Sequence, residues 1–125
     1  MNSASSQNPR VLIVEDEMAA REASERYLSN QGFDVRSASN ASEALRKAED
    51  FRPNVLVCDW NLGDRSSGTD VARKIQKRQG IPVIFVTAHP LAKLREVTRD
   101  ISVTRYLQKP FRLSTLTDAI IRSMG

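Results

Sequence analysis

Short uninterrupted apolar runs alternate along the chain with longer stretches in which apolar residues recur at helical spacing. Val11-Leu12-Ile13-Val14 and Val55-Leu56-Val57-Cys58 are the clearest runs. A strand with one wet face would alternate apolar and polar, so such runs predict strands buried on both faces. Residues 33–38, 81–86 and 103–107 complete a set of five strands, with Pro82 near the start of the fourth, where a missing N–H is tolerated. The intervening stretches predict helices. Residues 17–31 carry apolar positions at Met18, Ala19, Ala23, Tyr27 and Leu28, and Gly32 marks the stop. Asn40 stands three places before Glu43, the spacing of a capping box, and opens a helix to about Asp50. Residues 60–68 predict a loop rich in Gly and Ser, after which Val71, Ala72 and Ile75 mark a helix ended by Gly80. A fourth helix is expected over 90–98, begun by Pro90, and a fifth over 113–124.

Five βα repeats with doubly buried strands predict a parallel sheet with helices on both faces. Right-handed crossovers leave few topologies, and a flavodoxin-like, doubly wound (βα)5 fold with strand order 2-1-3-4-5 fits. In such sheets ligands bind at the carboxyl ends of the strands. Composition supports one domain: 125 residues at 40% hydrophobic content suffice for a single core. Residues 1–9 read as a flexible polar tail, leaving residues 10–125 as the domain. No apolar run reaches membrane-span length, and the N-terminal segment lacks the apolar stretch of a secretory signal. The single cysteine, Cys58, forms no internal disulfide, and a cytoplasmic setting is the expectation. The formal charge is +4, but bases and acids are interleaved. Arg73, Lys74, Lys77 and Arg78 read as a solvated helix face, and nucleic acid is not the favoured partner.

The strand ends carry the candidate chemistry. Glu15, Asp16 and Glu17 follow the first strand, Asp59 ends the third, Thr87 the fourth, and Lys109-Pro110 follow the fifth. Carboxylates brought together repel and call for a cation. An all-oxygen set favours Mg²⁺ over zinc, and Mg²⁺ is the usual partner of phosphate. Singly, each residue has a plain structural role. Glu17 suits a helix start, a Thr after a strand is a common turn residue, and Lys-Pro is a common loop pair. Coincidence on four of the five strand ends is what points to chemistry.

These segments resemble the motifs of response regulator receiver domains. "VLIVEDE" (11–17) is similar to the acidic-pair motif and "NVLVCDWNL" (54–62) to the phosphoacceptor strand. "IPVIFVTA" (81–88) resembles the switch-threonine strand, and "YLQKPF" (106–111) the Lys-Pro motif with its aromatic. The resemblance implies that Asp59 accepts a phosphoryl group and that Glu15 and Asp16 hold Mg²⁺ with Asp59 and the Asn61 backbone carbonyl, Mn²⁺ being a substitute. It implies that Lys109 pairs with Asp59 and then with the phosphoryl group, that Thr87 donates its hydroxyl, and that Tyr106 is the switch aromatic. It also implies a cis Lys109–Pro110 peptide. The donor would be a sensor histidine kinase or a histidine phosphotransfer protein, and the chain a signalling phosphoacceptor rather than an enzyme. The surface of the fourth helix, fifth strand and fifth helix would be read by an effector or by a second copy in a homodimer.

Other readings stay open at this point. A haloacid dehalogenase-like phosphatase also uses a strand-end Asp, but Asn61 stands where its second Asp belongs. A flavodoxin-like nucleotide or flavin binder lacks its Gly-rich loop here. A receiver that is never phosphorylated is opposed by the intact Asp59, Thr87 and Lys109. The chain departs from the family pattern in the loop 63–67. Gly63 stands at the usual Pro position, and Gly68 lies nine places beyond Asp59 instead of eight. Asp100-Ile101-Ser102-Val103 replaces the usual Gly-Ala, making the fourth helix the least defined element. His89, two beyond Thr87, is either a solvent-facing loop residue or, with Asn61, a modulator of the hydrolytic water.

Overall fold

A computed structural model describes residues 8–63 and 67–125. The first strand, β1 (Arg10–Val14), is followed by α1 (Met18–Asn30), β2 (Asp34–Ala38), α2 (Ala41–Phe51) and β3 (Val55–Asp59). Then come α3 (Gly68–Gln79), β4 (Val83–Thr87), α4 (Leu91–Val97), β5 (Val103–Gln108) and α5 (Leu113–Met124). All strand pairs are parallel and the order is β2-β1-β3-β4-β5, the flavodoxin-like arrangement expected.

The continuous apolar runs follow from the two-residue period of a strand. Leu12, Val14, Leu56, Cys58, Val83 and Phe85 enter one core layer, with Ala44, Ala48, Val71, Ala72, Ile75 and Leu94. Val11, Ile13, Val55, Val57, Ile84 and Val86 enter the other, with Leu28, Leu116 and Ile120. Every residue of β3 and β4 is buried, so the strands that carry Asp59 and Thr87 are the most firmly held. Each large apolar side chain fully buried there is worth about 1.5–3 kcal/mol.

Helix ends follow local chemistry. The Glu17 carboxylate caps α1 by accepting from the Ala20 and Ala19 N–H groups at 2.9 and 3.2 Å. Asn40 accepts from Glu43 N–H at 2.9 Å, while the Glu43 carboxylate reaches back to the Ser39 N–H at 2.6 Å, one residue before the cap. That bond holds the Glu43 carboxyl below its ordinary pKa, with burial opposing and Lys47 assisting. Gly80, at φ +66°, closes α3 in the left-handed region.

Several expectations are corrected. Met18, Ala19 and Ala23 are exposed, and Leu28 is the buried residue of α1. Ala20 and Ser24 on its inner side are half-buried, small residues with little apolar signal. Gly68 belongs to α3, not to the loop, because the Ser67 hydroxyl caps the helix at Thr69 N–H. Arg73 is not a solvated base: it is half-buried and bonds Asp70, Asp100 and the Val97 carbonyl, tying α3 to the end of α4. β4 begins at Val83, two residues later than expected, although the Pro82 carbonyl already accepts from Leu56 N–H at 3.0 Å. Of the expected tail, residues 1–7 lie outside the described residues, and Pro9 already accepts a sheet bond from Asp34 N–H at 2.9 Å. Residues 64–66 of the unusual loop also lie outside them. Among the described residues, no helix is long and apolar enough to cross a membrane.

Candidate functional site

Parallel strands place their carboxyl ends along one edge, and that edge gathers Glu15, Asp16, Asp59, Thr87 and Lys109. Glu15 continues β1: its N–H bonds the Ala38 carbonyl at 3.0 Å, which fixes the backbone just before the chain turns into α1. Its carboxylate is buried and faces across the sheet end, while Asp16 is exposed. Arg21, one turn into α1, donates to the Glu15 carbonyl at 2.9 Å. Asp59 is buried at the end of β3, and its Oδ1 accepts from the Asn61 N–H at 3.1 Å.

Lys109 bridges the cluster. Its ammonium donates to Asp59 Oδ2 at 2.7 Å and to Glu15 Oε1 at 2.8 Å. Burial works against that charge, but the bonds and charges of Asp59 and Glu15 outweigh it and raise the Lys109 pKa above its ordinary value. Its backbone is equally fixed, with Lys109 N–H on the Thr87 carbonyl at 2.7 Å and a cis peptide to Pro110. Ligand atoms of Glu15, Asp16 and Asp59 lie within 4.8 Å of one another. Three carboxylates against one ammonium leave two negative charges uncompensated, the charge of one divalent cation. Hard oxygen donors of this kind fit Mg²⁺.

Thr87 is fully buried, and its hydroxyl oxygen accepts from the His89 N–H at 3.0 Å, leaving the hydroxyl hydrogen free to donate elsewhere. His89 is exposed, its ring edge-on to Trp60 with centroids 6.1 Å apart. Trp60, Asn61, His89 and Pro90 line a groove of about 450 Å³ beside Asp59. Tyr106 lies away from these groups. Its ring stacks on Phe85, and its hydroxyl meets Thr98 Oγ1 at 2.5 Å.

Four residues escape sequence reasoning in these roles. Arg21 and Thr98 give no local signal. Gly63 and Gly68 stand out only as departures from the family loop. A Cβ on Gly63, at φ +76°, would lie 2.5 Å from Asp16 Oδ2. The Asp16 carboxylate therefore occupies the space that a side chain at 63 would fill. In Gly63→Ala the positive φ costs about 1–2 kcal/mol, as for any side chain in that conformation, the exposed Asp16 carboxylate is pushed aside, and a divalent ion held there would lose a well-placed ligand. The expected result is a roughly 10-fold or greater loss of Mg²⁺ affinity. Mg²⁺ titration of Trp60 fluorescence, with Asp16→Ala as the reference for loss, measures it. An unchanged titration would rule out this use of Gly63. Gly68 makes the closest approach: a Cβ there would lie 1.8 Å from the Asp59 carbonyl oxygen. Cys58, between them, is fully buried, and burial with the nearby Asp59 and Glu15 charges pushes its thiol pKa far up, so it stays protonated.

Known proteins resemble this chain in sequence and in fold. The family description "response regulator receiver domain" matches residues 11–121. The transcriptional regulatory protein PdtaR of Mycobacterium tuberculosis is 35% identical over 112 residues, covering 89% of this chain and 54% of that protein. The response regulator MprA of Mycobacterium avium is 34% identical over 108 residues, 86% of this chain and 47% of that protein. The chain thus spans about half the length of the curated relatives it matches. Among solved structures, a CheY-like receiver domain protein from Methanospirillum hungatei aligns with TM-score 0.87 at 28% identity, covering 94% of both chains. The non-phosphorylated HemR receiver domain of Leptospira biflexa aligns with TM-score 0.85 at 28% identity, over 94% of this chain and 95% of that one. With its acidic cluster, its bridging lysine and its sheet order, the chain belongs to the response regulator receiver domain family of two-component signalling.

Proposed function

We propose that residues 10–125 form a phosphoacceptor switch that takes a phosphoryl group onto Asp59 from a phosphohistidine of a sensor kinase or phosphotransfer protein. The observation that carries this reading is the Lys109 ammonium held between Asp59 and Glu15, beside a carboxylate cluster able to hold a divalent ion. In transfer, the phosphorus–nitrogen bond of the donor breaks, an Asp59 oxygen–phosphorus bond forms, and the departing imidazole takes up a proton. A carboxylate is a weak nucleophile, so positioning and charge neutralisation do the catalysis. Mg²⁺ held by Glu15, Asp16, Asp59 and the Asn61 carbonyl, with Mn²⁺ as substitute, would supply neutralisation of phosphoryl oxygens. Lys109 leaves Asp59 for a phosphoryl oxygen. Thr87 turns its free hydroxyl hydrogen to another, which draws the start of the β4–α4 connection toward the site. Tyr106 answers that movement by repacking against Phe85 and α4, and the α4–β5–α5 surface changes. The chain assists its own phosphorylation and dephosphorylation and turns over no other substrate.

Beryllium fluoride, a phosphoryl mimic, tests the pocket without a donor. A bound-fluoride signal by ¹⁹F NMR is expected only with Mg²⁺ present, and is lost in Asp59→Asn and Asp16→Ala. Binding that ignores Mg²⁺ or survives both substitutions contradicts the proposal.

Loss of the phosphoryl group requires water to attack opposite Asp59. Asn61 and His89 line one groove, and water reaching the phosphoryl group along it would pass both side chains. Asn61 can orient water but cannot take its proton, whereas a histidine can. Dephosphorylation is therefore expected to slow in His89→Ala. A decay rate unchanged in His89→Ala assigns it to Asn61 and the loop 63–67 instead.

A further inference from the structure

The positive charge of this chain is not evenly distributed. Residues 90–125 hold seven Lys or Arg and three acids, while the remaining bases and acids balance, so the formal +4 is carried by this segment. Much of it is displayed on one face. Arg95 and Arg99 are exposed one helical turn apart along α4 and its end, Arg105 is exposed on β5, and Arg122 is exposed on α5. The Arg95 guanidinium lies over the Tyr106 ring of β5 at 4.6 Å. Arg105 and Arg122 line one shallow groove with Thr104 and Ser123. Among the described residues none of these four arginines makes a salt bridge. The acids of α4 and its following turn are already engaged, Glu96 by Lys93 and Asp100 by Arg73, which leaves Asp118 as the one unengaged acid of the segment.

A second feature lies in the middle of this face. β5 is the last strand of the sheet and pairs only with β4, so its outer edge has no strand partner among the described residues. From reading this face as the switch's output surface, we propose that it binds an extended acidic segment of a partner protein, laid along the β5 edge between the arginines of α4 and α5. Arginine forks match carboxylates in pairs, and an unpaired strand edge supplies main-chain donors and acceptors that a peptide satisfies and a phosphodiester backbone cannot. The Tyr106 ring is covered by Arg95 and Phe85, so no free aromatic awaits a base. A second copy would bring the same arginines against themselves, and like charges in register disfavour it.

An acidic partner drawing Arg95 away would also uncover Tyr106, which links partner binding to the switch. The test is an NMR titration of the full chain with a short acetylated peptide of alternating Glu and Val, with and without beryllium fluoride and Mg²⁺. Shifts confined to α4, β5 and α5, weakened by salt and lost with a Gln-for-Glu peptide, are expected. Arg105→Glu combined with Arg122→Glu should weaken binding at least tenfold, and Lys74→Glu with Lys77→Glu on exposed α3 should leave it unchanged. No binding, or shifts outside this face, overturns the proposal. Tighter binding of a short DNA duplex at the same residues, or a dimer by sedimentation that the double arginine variant abolishes, overturns it in favour of nucleic acid or a second copy. The fluoride signal at Asp59 is read in the same samples. An intact signal without peptide binding rejects the partner chemistry alone, and an absent signal rejects the phosphoacceptor reading.

Discussion

Gly68→Ala is expected to lower stability by about 3 kcal/mol, roughly 10 °C in Tm for a domain of this size, and to abolish phosphorylation. The first turn of α3 presses directly on the Asp59 backbone, with Gly68 N–H on the Trp60 carbonyl at 2.7 Å. A Cβ there would meet the Asp59 carbonyl oxygen at 1.8 Å, the Asp59 carbonyl carbon at 2.9 Å and Cys58 Sγ at 3.1 Å. The two closest are backbone atoms, and the third is the sulfur of a fully buried side chain. Relief has to come from moving α3 or the end of β3, and either displaces Asp59 from Lys109. Gly80→Ala is the control, because its Cβ would meet nothing within 4 Å and only its φ of +66° is strained. That substitution should cost only about 1–2 kcal/mol and leave phosphorylation intact. Thermal melts of the two variants decide the point, and equal losses would show that the contact at Gly68 relaxes freely.

Lys109→Met is the second large effect. It leaves Asp59 and Glu15 buried with no cation, which costs about 3–5 kcal/mol when one partner of a buried pair is removed. A divalent ion restores part of the missing charge, so Mg²⁺ should stabilise the variant more than the wild type in urea unfolding. Phosphorylation should fall sharply, because no ammonium remains to receive the phosphoryl oxygens. The wild type has a matching pH signature. Since folding raises the Lys109 pKa, its contribution is fully present below the unfolded value near 10.5 and is lost as pH rises through the higher folded value. Base-induced loss of stability in that window should be smaller in Lys109→Met. Equal stability of variant and wild type in metal-free buffer at neutral pH would refute the role of the bridge.

Most of the fold was legible because doubly buried parallel strands write themselves as unbroken apolar runs, as at 11–14 and 55–58. Caps were legible at Glu17 and Asn40, where a polar side chain stands just before a helical pattern, whereas the Ser67 cap was hidden inside what read as a loop. α1 was misphased because its inner residues, Ala20 and Ser24, are small and its alanines and Met18 give a false stripe. The site was legible as residue types at strand ends, since topology alone brings strand ends to one edge. What stayed hidden depends on three dimensions: the space Asp16 takes beside Gly63, the seat of Gly68 on Asp59, and the Thr98 hydroxyl that meets Tyr106. The arginine face was hidden too, because interleaving along the chain conceals segregation in space.

The central claim is that Asp59 accepts the phosphoryl group. Incubation with acetyl phosphate and Mg²⁺, then borohydride reduction, converts an aspartyl phosphate into homoserine, which peptide mass spectrometry locates. A single modification at position 59, absent without Mg²⁺ and absent in Asp59→Asn, is the expected result. Modification at another residue, or a phosphoryl adduct that persists in Asp59→Asn, would contradict it.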